Sequence, residues 1–370
     1  MLHIPLGGDL ATGALAVLCL GLLIIVHEGG HYLLARWSGM RVDRFSIGLG
    51  PKLIGWKRGE TEFQISAIPF GGFVQIAGLN PGDEPDKTAV ERDGKHVEVE
   101  RASDPRLYNN RPVYQRLLTI FAGPATNYLF AAVVIIISCL AWGVPDVGKE
   151  PLVGGLVKGS PAAAAGLEPG DEIKTVDGKP ASDTAEVRKS ITATEGREFA
   201  IEIVRDGKPV TIRLKANKDG ADYRVGIELL PKEIRVRRGV GAAIAYGVAF
   251  PFKYTGFIVD GFKEIFAGRQ KAQFSGPLGI LGVMKNQIKR GATYAFDIAA
   301  IISVYLGFFN LLPLPALDGA RILFLGWELV SRRRVNQRIE QTIHMAGMLV
   351  LIGFILIVTL GNDIPKLFGK

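Results

Sequence analysis

The sequence predicts a polytopic α-helical membrane protein: four transmembrane helices, a β-hairpin associated with the membrane, and an inserted, mainly-β domain. Three observations predict it. Residues 10–26, 117–142 and 298–316 contain no charged side chain, and 345–360 is apolar apart from Thr359. Each run approaches or exceeds the roughly 20 residues that carry a helix across about 30 Å of hydrocarbon. Residues 61–76 alternate apolar and polar side chains about a Phe70-Gly71-Gly72 turn, the period of a half-buried hairpin. Short β-type runs separated by turn dipeptides fill residues 152–231.

Composition bounds the alternatives. The 370 residues are 48% hydrophobic and 22% charged, with a formal net charge of +8, which excludes a disordered chain. Cys19 and Cys139 are the only cysteines and both sit inside apolar runs, which excludes a disulfide scaffold. A basic balance fits nucleic acid or an anionic surface in general. Here arginines cluster beside the spans, and nucleic acid is not the preferred partner.

Taken in order, the first run reads as an uncleaved span, because residues 1–9 hold no Lys or Arg and no small-residue cleavage site ends the run. Arg36, Arg41, Arg44, Arg111 and Arg116 flank the first connection, and Arg321, Arg332, Arg333, Arg334 and Arg338 crowd the last. The positive-inside bias puts both connections in the cytoplasm and the long stretch from 144 to about 296 on the far side. Residues 80–112, with their Pro-Gly-Asp-Glu-Pro cluster at 81–85, read as a partly disordered polar loop. The inserted domain shows β-type runs at 152–157, 198–204, 210–214 and 223–229, Asp-Gly turns at 177–178 and 206–207, and one helical run at 183–191. Aromatic residues with scattered charge over 241–272 predict an amphipathic helix along the membrane interface. The resulting division is 1–36 (first transmembrane helix), 37–112 (cytoplasmic loop with the hairpin), 113–143 (second helix), 150–235 (inserted domain), 240–292 (interfacial segment), 295–330 (third transmembrane segment) and 343–362 (fourth helix).

Chemistry begins where the first span ends, in Val26-His27-Glu28-Gly29-Gly30-His31. Residues four apart share a helix face, so His27 and His31 can offer imidazole nitrogens to one metal ion. Glu28, displaced around the helix, can take a proton from water acidified by that metal and return it to a leaving amine. Ionisable groups inside a span are costly and functional by default, and a metal is the simplest compensation. Two histidines do not complete a catalytic zinc site, which takes three protein ligands. His3, His96 and His344 remain, but Asp318 in Asn310-Leu-Leu-Pro-Leu-Pro-Ala-Leu-Asp318-Gly319 is better placed: prolines break the helix there, on the side where His31 lies. The alternative role for Asp318 is a helix N-cap. Asn310 is a candidate for orienting substrate, or else a packing residue.

These motifs resemble the site-2 protease family of intramembrane zinc metalloproteases (peptidase M50), in its RseP-type bacterial form. Phe121-Ala-Gly-Pro-Ala-Thr-Asn127 is similar to that family's GPxxN signature. The resemblance implies Zn2+ bound by His27, His31 and Asp318, Glu28 as catalytic base, and substrate handling by Asn310. It also implies a membrane-reentrant β element at the hairpin, where Phe73 and its neighbours would hold an unwound substrate strand. Gly159-Ser-Pro-Ala162, 165–173 and Val176-Asp-Gly178 look like a bacterial PDZ pattern, with room for a single such domain. Its groove would lie between the strand at 224–227 and the helix at 183–191, with Gly226 letting backbone amides meet a peptide carboxylate. Steric gating is the alternative role.

The expected activity is zinc-dependent endoproteolysis within transmembrane segments near the cytoplasmic face of a bacterial inner membrane, the PDZ domain lying outside. The implied partners are single-span membrane proteins such as anti-sigma factors, remnant signal peptides, peptide C-termini at the PDZ domain, and membrane lipid. Two other classes compete. A zinc transporter would spread its ligands along a pathway without an adjacent Glu base, and a non-catalytic PDZ scaffold would bind no zinc.

Overall fold

The computed structural model describes residues 8–79, 87–92, 95–100, 104–219, 222–269 and 275–367. The acidic turn at 81–85 lies outside them. In chain order the elements are α1 (Asp9–Trp37), β1 (Val42–Arg58), β2 (Thr61–Ile76), β3 (Lys87–Arg92), β4 (Lys95–Glu100), α2 (Val113–Trp142), β5 (Val144–Leu156), α3 (Pro161–Ala164), β6 (Glu172–Val176), β7 (Lys179–Pro180), α4 (Thr184–Thr192), β8 (Glu198–Arg205), β9 (Lys208–Lys215), β10 (Asn217–Asp219), β11 (Asp222–Arg224), β12 (Ile227–Val236), α5 (Gly239–Phe266), α6 (Pro277–Arg290), α7 (Ala292–Leu311), α8 (Asp318–Ser331), α9 (Gln337–Val358) and α10 (Ile364–Leu367). They form two compact units, residues 142–238 and the remainder.

In the larger unit, five helices among the described residues are long and apolar enough to cross a membrane: α1, α2, α5, α7 and the 338–363 stretch that takes in all but the first residue of α9. Four were expected. The addition is α5, expected as an interfacial segment and found as one continuous helix of 28 residues. Its charges, Lys253, Asp260, Lys263 and Glu264, lie in its C-terminal half, so residues 239–252 are free of charge and the crossing-length window includes Lys253. Side chains such as Leu349, Val350 and Ile357 of α9 are more than two-thirds exposed, the surface a lipid solvent permits and water does not.

Small residues bring the helices together. A Cβ on Gly30 of α1 would stand 2.4 Å from the Ala122 carbonyl oxygen of α2, and Thr126 donates to the Val26 carbonyl at 3.0 Å. Gly307 of α7 packs in the same way against Tyr128 and the Pro124 carbonyl, and Ser303 donates to the Asn127 carbonyl at 2.9 Å. Between hydrocarbon-facing helices such close backbone approach, with interhelical hydrogen bonds, replaces the hydrophobic drive available in water.

β1 and β2 form one antiparallel ladder with several irregularities. Residues 54–58 pair with 61–65, and 42–47 pair with 72–76. Phe73 therefore lies on a strand held along one side by Ser46. β3 and β4 pair antiparallel, Val90 opposite Val97, within the stretch expected as a partly disordered polar loop. The Val/Thr alternation of that stretch suits strands.

In the smaller unit, β12, β5, β6, β8 and β9 form an antiparallel sheet in that order, with β7 beside β6. Ile173, Val176, Val187, Ile201 and Ile203 fill its core at 1% exposure or less. Asp206 and Gly207 both take positive φ, 50° and 77°, in the two-residue turn joining β8 to β9, the mirror-image turn that matches strand twist. Asp183 caps α4, its carboxylate accepting from Glu186 N–H at 2.8 Å.

Candidate metal centre and active site

α1 presents His27 and His31 on one face, rings 4.9 Å apart and edge to face, both under 10% exposed. α7 ends at Leu311, and the proline-interrupted turn at 312–317 returns the chain so that Asp318 opens α8. Two local demands shape that turn. Ala316 takes a left-handed φ of 75° and donates its N–H to His344 Nδ1 at 3.2 Å. Gly319 lies so near the Leu312 carbonyl that a Cβ would sit 2.1 Å from its oxygen.

The three side chains converge. Asp318 Oδ2 lies 3.1 Å from His27 Nε2 and 3.3 Å from His31 Nε2, and the two Nε2 atoms are 3.3 Å apart. Donors in a tetrahedral site with bonds of about 2.0–2.1 Å stand about 3.3 Å from one another, so this triangle has the spacing of three such ligands. Among the described residues it is the one His/Cys/Asp/Glu group with that convergence. Asp318 turns its carboxylate to the histidines and makes no side-chain N-cap hydrogen bond.

Supporting contacts fit a metal as well. The Thr119 carbonyl accepts from His31 Nδ1 at 2.9 Å, which leaves the Nε2 lone pair free. Asn127, fully buried on α2, stands 3.1 Å from His27 Nδ1, and its Oδ1 has no hydrogen-bond partner among the described residues. A Cβ on Gly123 would reach within 2.3 Å of His31 Nε2, so only glycine lets α2 lie against the pair.

A cavity of about 830 Å³ opens on this group. Glu28, Asn310 and Phe73 line it together with His27, His31 and Asp318. The Val74 backbone faces the Glu28 carboxylate, and Gly72 lies beside its Cγ, so the 72–76 strand forms the wall next to the acid. Asn310 donates to the carbonyl of Leu306 on its own helix at 3.0 Å and lines the cavity. Gly226 belongs to the smaller unit and is not part of this group. It holds a left-handed φ of 76°, a Cβ there would meet Ser160, and its carbonyl accepts from Val157 N–H.

Sequence reasoning gave Asn127 no role beyond a signature, and passed over Thr119 and Gly123 as partners of the histidines. A polar side chain inside an apolar span was the available signal for Asn127. The Thr119 carbonyl carries no sequence signal.

Residues 15–354 match Peptidase family M50. A Fusobacterium nucleatum protein with zinc metalloprotease in its name is 33% identical, the match covering 97% of this chain and 100% of that protein. The Bacillus subtilis regulator of sigma-W protease RasP is 29% identical over 95% of this chain and 98% of its own length. The zinc metalloprotease RasP of Geobacillus kaustophilus is 30% identical, covering 95% and 97%.

Proposed function

The chain belongs to peptidase family M50, the site-2 metalloproteases, and on that premise we propose that it is a zinc-dependent endopeptidase cutting within transmembrane segments of other membrane proteins. The observation that carries this reading is the convergence of His27, His31 and Asp318 beside Glu28, in a cavity among apolar helices.

His27, His31 and Asp318 would hold the ion. Zinc bound there supplies a Lewis acid that polarises the scissile carbonyl and acidifies water. Glu28 takes the proton from the attacking water and delivers it to the departing amine nitrogen, so one carboxylate serves as base and then acid. A transmembrane helix hides its peptide bonds in its own ladder, so it must unwind before attack. The 72–76 strand, walling the cavity next to Glu28, supports a role in holding the unwound segment in extended form, with Phe73 against its side chains. Asn310 lines the same cavity, which supports a role in orienting substrate.

The substrates we propose are single-span proteins such as anti-sigma factors, and remnant signal peptides; the relative named for sigma-W regulation supports the first. The arginine-rich connections support a multi-pass inner-membrane topology with the catalytic group near the cytoplasm and residues 142–238 outside. We read α5 as lying at the outer interface despite its length, because Lys253 falls inside every crossing-length window it offers, and this reading leaves four crossings. We assign the smaller unit as a single PDZ domain that screens substrates or takes peptide C-termini. β12 is an edge strand of its sheet, open to strand addition near Gly226.

The test is Glu28→Gln in purified, reconstituted protein given a single-span substrate. Zinc content is expected to stay at the wild-type level while cleavage falls by about 10²–10⁴-fold. Turnover near the wild-type rate overturns the mechanism.

A further inference from the structure

The contact between His27 and Asn127 decides which ring nitrogen of His27 carries the proton. In the arrangement described, the amide nitrogen of Asn127 faces Nδ1 at 3.1 Å. An N–H pointing there needs Nδ1 as an acceptor, which puts the proton of a neutral imidazole on Nε2. Nε2 is the atom that faces Asp318 and His31, and a protonated nitrogen has no lone pair to give a metal. His31 does not share the conflict, because the Thr119 carbonyl can only accept and so fixes the proton on Nδ1.

The amide can settle the matter. Its oxygen and nitrogen exchange places by a half-turn about χ2, and its Oδ1 makes no hydrogen bond among the described residues, so no bond to that oxygen opposes the exchange. After it, Oδ1 accepts from His27 Nδ1–H and Nε2 is free. Histidines that bind metals regularly donate their second ring N–H to a fixed acceptor, which sets both tautomer and ring orientation. Asn127 is placed for this: it is wholly buried, sits on α2 opposite α1, and its backbone carbonyl is tied to Ser303 of α7.

We infer that Asn127 is a positioning residue that holds His27 in the Nδ1–H tautomer and thereby makes His27 a metal ligand. This rests on the zinc reading above. Asn127 touches neither substrate nor reacting atoms; it acts through His27 alone.

The experiment is competition for zinc between a chelator and the full-length protein in detergent, for wild type, Asn127→Leu and Asn127→Asp, with helical circular dichroism and gel filtration as checks on folding. Leucine cannot accept a proton, so Asn127→Leu is expected to bind zinc about 10–100-fold more weakly. Aspartate accepts only, so Asn127→Asp is expected to bind zinc at least as tightly as wild type and to keep its KM for substrate. Opposite effects from two substitutions of similar size are not what a filler residue produces. Wild-type affinity in Asn127→Leu, or a loss in Asn127→Asp as large as in Asn127→Leu, overturns the inference. If Asn127→Leu does not fold, Asn127→Ala, which likewise accepts no proton and needs less room, takes its place under the same criterion. Failure of the zinc reading itself shows separately, as wild-type protein that holds no zinc, and that result overturns both.

Discussion

Gly123 and His31 meet across the boundary between α2 and α1, with a Cβ on the glycine falling 2.3 Å from the ring nitrogen that faces Asp318. No real side chain approaches so closely, so the identity of residue 123 sets whether the histidine pair can stay where Asp318 finds it.

Gly123→Ala is accordingly expected to displace His31 Nε2 and to lower zinc affinity by at least about 10–100-fold, as disturbing a metal's supporting contacts does. Cleavage should fall with it. Helical content should hold, since alanine is the better helix former. Zinc stoichiometry and circular dichroism check this; full zinc occupancy with wild-type cleavage contradicts it.

A second steric relation acts on the other ligand. Gly347 of α9 lies against Pro315, where a Cβ would come within 2.1 Å of the proline ring, in the turn that delivers Asp318. Gly347→Ala is expected to push that turn and cut kcat/KM about tenfold or more, a displacement of about 1 Å being costly in a preorganised site. Gly353→Ala, six residues along the same helix with open space around it, is the control and should leave the rate unchanged. Equal rates for the two variants would dismiss the steric argument.

The smaller unit carries an acid-sensitive pair. Burial alone would raise the Asp171 carboxyl, but hydrogen bonds from Arg205 Nε at 2.7 Å and from Glu168 N–H at 2.8 Å outweigh it and hold the group below its ordinary 3.8. A carboxyl lower in the folded than the unfolded state adds stability above the unfolded value, and that stability drains away as pH falls through the folded one. The unfolding temperature of residues 142–238, followed by hydrogen exchange in the full chain, should therefore drop on acidification below about pH 4. Arg205→Met should lower it by about 4–8 °C at pH 7, a modest loss for a unit of this size, and flatten the acid limb. An unchanged acid limb in Arg205→Met would assign the sensitivity elsewhere.

Much of the candidate site was legible because its parts obey local rules. His27, Glu28 and His31 follow from helical spacing inside an uncharged run, and Asp318 from a carboxylate after a proline break. Which atoms would meet was not legible: Asp318 is 291 positions from His27, and only the turn at 312–317 brings them together. Asn127 could be noticed as a polar residue in a span, yet its partner depends on the α1–α2 crossing that Gly30 and Gly123 permit. The strand pattern of 61–76 was readable from alternation, but its pairing with 42–47 is non-local. For α5 the charges suggested an interface, and its crossing-length window does hold Lys253, yet its mean hydropathy of 1.3 still suits a span.

Because the ligands are divided between residues 27–31 near one end of the chain and residue 318 near the other, the site has an order of assembly built into its synthesis. On the proposed reading, a nascent chain that has inserted α1 and α2 carries Glu28 and two imidazoles but not Asp318, so it cannot cut its neighbours while it is being made. Proteolytic competence then arrives only when α8 follows α7 into place, and a truncation before Asp318 is expected to be catalytically silent.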